Sequence, residues 1–295
     1  MEGVAERPAW LDRGLYPFED HYADIAGCRV HYVDEGSGPL LLMLHGNPTW
    51  SFLYRDLVKG LRDRFRCVAI DYPGFGLSTA PEDYGFTPAE HAAIVEQLVL
   101  ELDLRDVTPV VQDWGGPIGF AVAGRHPDRF SGFVIGNTFA WPVTGRLSVE
   151  LFSRLMGGPI GGHLIRRRNF FVERVLPGGV RRHKLPEEVM AAYRGPFPTI
   201  ESRKPLHVLP REILGSSDFL AEVERGLPVL SDRPALIVWP TKDVAFGETE
   251  RERFESLFPR HRTVTLEGAG HYIQEDAPEE IVAAIRSWEE DGRSP

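Results

Sequence analysis

The residues best suited to chemistry lie in the stretch Val-Val-Gln-Asp-Trp-Gly-Gly-Pro at 110–117. An apolar run through Val107, Val110 and Val111 stops at the carboxylate of Asp113. Two glycines follow Trp114, and Ile118, Phe120 and Val122 then recur as in a helix. Strand, sharp turn and helix make the pattern of a nucleophile elbow, whose familiar form carries serine at the tip. A serine hydroxyl is neutral and needs a base before it attacks. A carboxylate, with an unperturbed pKa of about 4, is already ionised at pH 7. It can displace a leaving group from saturated carbon and form an alkyl ester, which water then cleaves at the carbonyl. Aspartate at this position therefore suggests alkyl transfer to water. As plain structure, Asp113 would be a strand-end residue capping the next helix.

Two later loops supply partners in the order expected of an acid and a histidine. Asp243 follows the apolar run Ala235–Trp239, and His271 sits in Gly-Ala-Gly-His after Thr263–Leu266. A lone histidine is usually structural. Nucleophile, acid, histidine, each after a strand, is a known chain order for a hydrolytic triad. Earlier, the run Leu40–Leu44 ends in His-Gly-Asn-Pro-Thr-Trp at 45–50. A loop there can aim the Asn47 backbone N–H and side-chain amide above the elbow. It would otherwise be a plain strand-to-helix turn, with Asn47 as a turn residue and His45 as a structural donor. Asp71, after the run Cys67–Ile70, reads as a turn-stabilising residue rather than a catalytic one, because aspartate bonds well to its own local backbone.

These residues must be held by elements, and the hydrophobic pattern names them. Tyr22 to Glu35 reads as an antiparallel strand pair around Ala26-Gly27. Leu40–Leu44, Cys67–Ile70, the run before Asp113, Phe133–Ile135, Ala235–Trp239 and Thr263–Leu266 read as buried strands. Helices between them fall at about Phe52–Arg62, after the capping box Thr87-Pro88-Ala89-Glu90, from Ile118 to His126, and at 217–224, 248–258 and 277–288. Such alternation predicts a mostly parallel central sheet covered on both faces. In an open sheet of this kind, loops at the carboxyl ends of the strands converge on the ligand crevice.

The alternation breaks between Phe139 and Arg211, where proline, glycine, basic clusters such as Arg166-Arg167-Arg168 and short amphipathic segments prevail. We expect a core of residues 1–138 and 213–295 interrupted by a helical cap at 139–212. Phe139, Trp141, Phe152, Phe170, Phe171 and Phe197 are candidates for the wall of an apolar pocket, though each alone also fits a core position.

With 295 residues, 42% hydrophobic and 26% charged, the chain has the composition of a soluble globular protein. Its net charge of −10 argues against nucleic acid and against anionic membrane surfaces as partners. Two cysteines, Cys28 and Cys67, form no disulfide framework, and no Cys/His spacing of a metal site is present. A reducing, cytoplasmic setting follows. Met1–Arg13 reads as no signal peptide, and no run reaches the length of a membrane span. The chemistry calls for no cofactor.

The motifs His-Gly-Asn-Pro-Thr-Trp, Gln-Asp-Trp-Gly-Gly and Gly-His-Tyr-Ile-Gln-Glu-Asp together resemble those of haloalkane dehalogenases of the α/β-hydrolase superfamily, over nearly the whole chain. The resemblance implies that Asp113 attacks the carbon bearing halogen, that the Trp114 indole and the Asn47 amide hold the departing halide, and that His271, oriented by Asp243, activates water. The backbone N–H groups of Asn47 and Trp114 would receive the ester oxyanion. The only tryptophan in the cap interval is Trp141, at its start, so Asn47 is the better second donor. Where some members place the acid after the sixth strand this chain has the amide Asn137, which favours Asp243.

Rivals share part of this pattern. Epoxide hydrolases need cap tyrosines, and the interval holds only Tyr193. Haloacid dehalogenases resemble the chain but have arginine where Trp114 stands. A coelenterazine luciferase, or a binding module with a dormant site, fits the fold as well.

Overall fold

The computed structural model describes residues 7–143 and 145–294. Met1–Glu6, the first part of the stretch read as no leader, lies outside them. The eight strands are β1 (His21–Ile25), β2 (Cys28–Glu35), β3 (Leu40–Leu44), β4 (Arg66–Ile70), β5 (Thr108–Asp113), β6 (Phe133–Thr138), β7 (Ala235–Pro240) and β8 (His261–Leu266). They form one sheet in the order β1-β2-β4-β3-β5-β6-β7-β8. β1 and β2, and β2 and β4, pair antiparallel; every later pair is parallel. β3 and β7 are apolar throughout and sit inside the sheet, as their continuous hydrophobic runs require, and β5 lies between β3 and β6.

Helices α1 (Arg55–Leu61), α2 (Pro88–Glu101) and α3 (Gly115–Arg125) connect the first parallel strands. α2 starts where its sequence says it should. The Thr87 hydroxyl accepts the Glu90 N–H and the Glu90 carboxylate accepts that of Thr87, a complete capping box. Between β6 and β7 the chain leaves the sheet and forms α4 (Leu147–Gly157), α5 (Pro159–Arg168), a π-helical turn at Phe171–Val175, α6 (Leu176–Gly179), α7 (Glu187–Arg194), α8 (Lys204–Gly215) and α9 (Ser217–Gly226). α4 packs on α5 and α8, whereas α9 packs back on α3 beside the sheet. α10 (Glu248–Leu257), α11 (Ile273–Asp276) and α12 (Pro278–Glu290) complete the fold. Among the described residues no helix is long and apolar enough to cross a membrane.

Asp71 does more than the local turn role its sequence suggests. It accepts the Leu77 N–H at 2.9 Å, as a turn residue would. It also accepts the distant Ser51 N–H at 2.7 Å and lies 2.8 Å from His31 Nδ1. Asp20 takes the other ring nitrogen of His31 at 3.1 Å, and Arg7 pairs with Asp20 at 2.7 Å. This buried polar chain ties the N-terminal segment and β2 to the loop after β4.

Candidate active site

β5 ends by delivering Asp113 in a left-handed conformation, φ +52°. A branched or bulky residue would be strained there, and aspartate tolerates the region better than most. The pairing with β6 breaks at this point, so that Asp113 comes opposite Thr138. The Thr138 hydroxyl donates to the Asp113 carbonyl at 2.5 Å and holds the bend. The glycines after Trp114 are required by crowding. A Cβ on Gly115 would overlap the Leu44 carbonyl of β3, and one on Gly116 the Thr138 hydroxyl. Asp-Trp-Gly-Gly is thus the sequence of a turn wedged between β3 and β6.

The loop after β3 runs over the same spot. The Asn47 N–H donates to Asp113 Oδ1 at 2.9 Å, and the Trp114 N–H bonds the same carboxylate. The Asn47 side chain lines the cavity above, with its amide nitrogen 3.4 Å from the Leu206 carbonyl of α8. His45 stays out of the chemistry. It is buried, its Nδ1 bonds the Gly46 carbonyl at 2.9 Å, and its Nε2 accepts the Tyr72 N–H at 3.2 Å. Burial pushes its pKa down to about 4, which keeps the ring neutral.

His271 Nε2 lies 3.6 Å from Asp113 Oδ2, and its Nδ1 lies 3.0 Å from Asp243 Oδ2. The loops after β5, β7 and β8 therefore bring together the three residues singled out in the sequence. Asn137, at the end of β6, donates to Asp243 at 2.5 Å and to the His271 carbonyl at 2.8 Å. The position that cannot supply the acid thus buttresses it. Gln112, beside the elbow, was not singled out. Its amide nitrogen lies 3.1 Å from both the His271 Nε2 and the His271 carbonyl.

Burial raises the Asp113 carboxyl above its ordinary range, against the pull of His271 and the two backbone N–H groups. Burial also works against a charged His271, but the Asp243 carboxylate, and then Asp113, outweigh it and push the imidazole up to about 8. Asp243 is buried as well; His271, the Ala245 N–H and the Asn137 amide still hold it below the usual carboxylate range. A hydrogen-bonded acid, a histidine and a second carboxylate within reach make an arrangement that can orient and charge an imidazole.

The rest of the Gly-His-Tyr-Ile-Gln-Glu-Asp string anchors the histidine. The buried Asp276 accepts N–H bonds from Gly270 at 2.7 Å, Arg181 at 3.0 Å and Arg182 at 2.8 Å. The His271 N–H donates to the Gly179 carbonyl at 2.8 Å. Glu275 pairs bidentately with Arg55 and accepts the Tyr193 hydroxyl. These acids bind the segment around α6 and α7 to the histidine loop, and only the folded chain shows which residues they meet.

Above the triad lies a cavity of about 500 Å³ with mostly apolar walls. Phe139, Phe152 and Phe171 line it, as the composition of the segment led us to expect, together with Asn47, Asp113, Trp114, Asp243 and His271. Trp141, Phe170 and Phe197 do not. Trp141 is buried against Phe254 of α10 with Arg253 over its ring. Phe197 is fully buried, edge-on to Phe75, and Phe170 is half-buried against the core. Each found an apolar neighbour elsewhere, because helix packing and not residue type chooses which face turns inward. Phe246 and Tyr272 complete the wall without having been foreseen. Trp114, Phe139, Phe246 and His271 follow one another in ring contact, at centroid separations of 5.1, 5.6 and 5.8 Å.

Known proteins match this arrangement closely. Residues 39–278 fit the family model of the alpha/beta hydrolase fold. Haloalkane dehalogenase 2 of Mycobacterium tuberculosis is 48% identical over 93% of this chain and 96% of its own length. A cis-3-alkyl-4-alkyloxetan-2-one decarboxylase of Shewanella oneidensis is 33% identical over 93% of this chain and 89% of its own. The crystal structure of the haloalkane dehalogenase DbeA from Bradyrhizobium elkani superposes with a TM-score of 0.84 at 30% identity, covering 92% of this chain and 97% of that one. By its fold, by the matched length and by the level of identity to these relatives, the chain belongs to the haloalkane dehalogenases of the α/β-hydrolase family.

Proposed function

We propose that the protein hydrolyses haloalkanes to an alcohol, a halide ion and a proton through an ester on Asp113, with residues 139–212 as the cap that covers the site. The observation that carries this reading is a carboxylate, rather than a hydroxyl, at the floor of an apolar cavity, held by the Asn47 N–H and facing His271.

The Asn47 N–H holds Oδ1, which leaves Oδ2, on the His271 side, as the attacking oxygen. Oδ2 bonds to carbon, the carbon–halogen bond breaks, and the halide leaves with the electron pair. The Trp114 indole N–H and the Asn47 amide N–H stabilise the charge developing on the halide. Burial of Asp113 strips the carboxylate of water and sharpens its attack. The ester then loses the negative charge that Asp113 contributed beside His271. That lowers the proton affinity of the imidazole and frees Nε2 to act as a base at the moment it is needed. Water gives Nε2 a proton and adds to the Asp113 carbonyl carbon. The Asn47 and Trp114 backbone N–H groups hold the oxyanion, and Asp243 balances the imidazolium. Collapse of this adduct expels the alcohol with the proton from His271 and leaves Asp113 as a carboxylic acid, which releases its proton to solvent and becomes a carboxylate again, now carrying one oxygen from water.

An epoxide substrate would need an acid over the opening ring. Tyr193, the one tyrosine of the cap interval, is buried away from the cavity with its hydroxyl on Glu275. Tyr272 does line the cavity, but its hydroxyl is turned to the Asn47 carbonyl at 3.4 Å. We place the enzyme in the cytoplasm, since both cysteines are free and buried.

Halide release from a panel of chloro-, bromo- and iodoalkanes tests the proposal, with an epoxide and a cis-3,4-dialkyl oxetan-2-one as competitors. Turnover of bromoalkanes, with the epoxide untouched, is the expected outcome. Faster turnover of the epoxide or the lactone than of any haloalkane would overturn it.

A further inference from the structure

We propose that the rim of the active-site cavity docks on an anionic lipid surface. The docking claim stands on the rim itself. Only its consequence, the supply of apolar substrate from the lipid, rests on the dehalogenase reading.

α4 begins at the mouth of the cavity and walls it through Val149 and Phe152. Its opposite edge carries Leu147, Leu151 and Leu155, one turn apart, with exposures of 81, 68 and 50%. Ile160, at the start of α5, continues the stripe at 67% exposure, and Val244 stands on the facing lip at 87%. One exposed leucine needs no explanation, but a contiguous set around a cavity mouth marks a surface that meets something apolar.

The charges around that mouth select what it meets. Arg154 lies two turns on from Leu147, beside the stripe, well exposed and in an i,i+4 pair with Glu150 at 3.3 Å. Arg146, ion-paired with the buried Glu250, and Arg174 line the cavity, and among the described residues lining it the only carboxylates are Asp113 and Asp243, both in the triad. Residues 139–212 hold thirteen Lys and Arg against six Asp and Glu, in a chain whose net charge is −10. The remainder is therefore strongly acidic and the cap basic. A charge distribution of this kind turns the cap face, and only that face, toward a negative surface. The net charge of the whole chain would disfavour anionic membranes; the proposed docking concerns this face alone. A second copy of the chain suits the face less well, because a two-fold contact would set like-charged caps against each other.

A helix with an apolar edge flanked by arginine lies in the plane of a lipid interface. With α4 so placed, the cavity opens onto the region where small apolar molecules concentrate. The cytoplasmic leaflet, with its anionic lipids, presents the matching charge.

Co-sedimentation of the full chain with phosphatidylglycerol–phosphatidylcholine vesicles, and with phosphatidylcholine vesicles alone, tests the proposal. We expect binding to the anionic vesicles that weakens as salt is raised, and a loss of ~10-fold or more in the double variant Leu147→Glu/Leu151→Glu. A thermal melt establishes that the variant is folded, and Leu147→Ser/Leu151→Ser, which adds no charge, should lose affinity in the same direction. Absence of binding to anionic vesicles, equal binding to both vesicle types, or equal binding of wild type and both variants would each overturn the proposal. So would a wild-type dimer in light scattering that the variants convert to monomer. None of these readouts depends on dehalogenation, so docking and catalysis fail separately.

Discussion

Gly46 faces the Asp113 carboxylate so closely that a Cβ at position 46 would overlap its Oδ1. The next residue, Asn47, donates its N–H to that same oxygen at 2.9 Å. Closeness and donation are one device, since the backbone can reach the carboxylate only where no side chain intervenes. Gly46→Ala should displace the carboxylate and lower kcat/KM for a bromoalkane by about 100-fold. Steady-state halide release checks this, and a loss below about threefold would show that the carboxylate is not held by this contact.

Two variants separate the chemical steps. Asp113→Ala should release no bromide. His271→Phe should release one bromide per site and stop, with the alkyl group retained on Asp113. Intact-mass spectrometry after mixing with a bromoalkane reads both outcomes. Continued turnover of His271→Phe would show that ester cleavage does not need the imidazole. Wild-type turnover in isotopically heavy water should leave the label on Asp113.

The Trp114 indole packs edge-on against Phe139. Trp114→Phe keeps an aromatic ring there and removes the N–H. We expect a fall of about 10²–10³ in the rate of halide release, the usual cost of losing one donor to a developing charge. Ester hydrolysis should change far less, because the backbone N–H at position 114 remains. Rapid-quench measurement of the two steps distinguishes them, and an equal loss in both would point to misplacement of the elbow.

The acid limb of the pH profile should differ between free enzyme and ester. His271 lies at about 8 in the resting site because Asp243, and then Asp113, favour its charge. Alkylation of Asp113 deletes one of those charges, so the imidazole of the ester should lose its proton at lower pH than that of the free enzyme. Single-turnover ester hydrolysis should rise with pH and level off below 8. Asp243→Asn should shift that limb further down and slow hydrolysis by about 10²–10⁴-fold, as expected when the imidazole loses its orienting carboxylate. A limb at or above 8 in the wild-type ester would contradict the charge argument.

Stability should fall on the alkaline side for a separate reason. Burial opposes a charge on His31, but Asp71 and Asp20 outweigh it and raise its pKa above 6.5. The folded state therefore binds a proton that the unfolded chain releases. This contribution is complete below about pH 6.5 and disappears as pH climbs through the folded value. Asp20 acts in the opposite direction. Burial resists its ionisation, yet His31 and Arg7 hold it at about 2, so its contribution persists down to about pH 4 and is lost as pH falls through 2. Urea midpoints between pH 6 and 9 should decline more steeply for wild type than for His31→Gln. Parallel curves would exclude His31 as a source of that decline.

The elbow, the triad and the alternation of strands and helices were legible because each is local or ordered. Val110 to Pro117 specifies its own turn by apolar run, carboxylate and glycine, and β3 and β7 declare themselves by unbroken hydrophobic runs. In a parallel sheet, chain order and strand ends then decide which loops can meet. Asp113, Asp243 and His271 accordingly stand where their spacing placed them.

Residue type alone could not say which aromatic side chains of the segment 139–212 would face the cavity. Phe139, Phe152 and Phe171 do, whereas Trp141 and Phe197 are buried elsewhere, because the path of the folded chain, helix and loop alike, chooses which side chains turn inward. Packing likewise left Leu147, Leu151 and Leu155 outside. Nor could the sequence pair Asn137 with Asp243, Gln112 with His271, or Asp276 with the Arg181 N–H, contacts between groups far apart along the chain. Sequence alone determined that a carboxylate stands at a tight turn, because the elbow is specified locally. Tertiary packing alone decided the shape and rim of the chamber, because those depend on which helix faces meet.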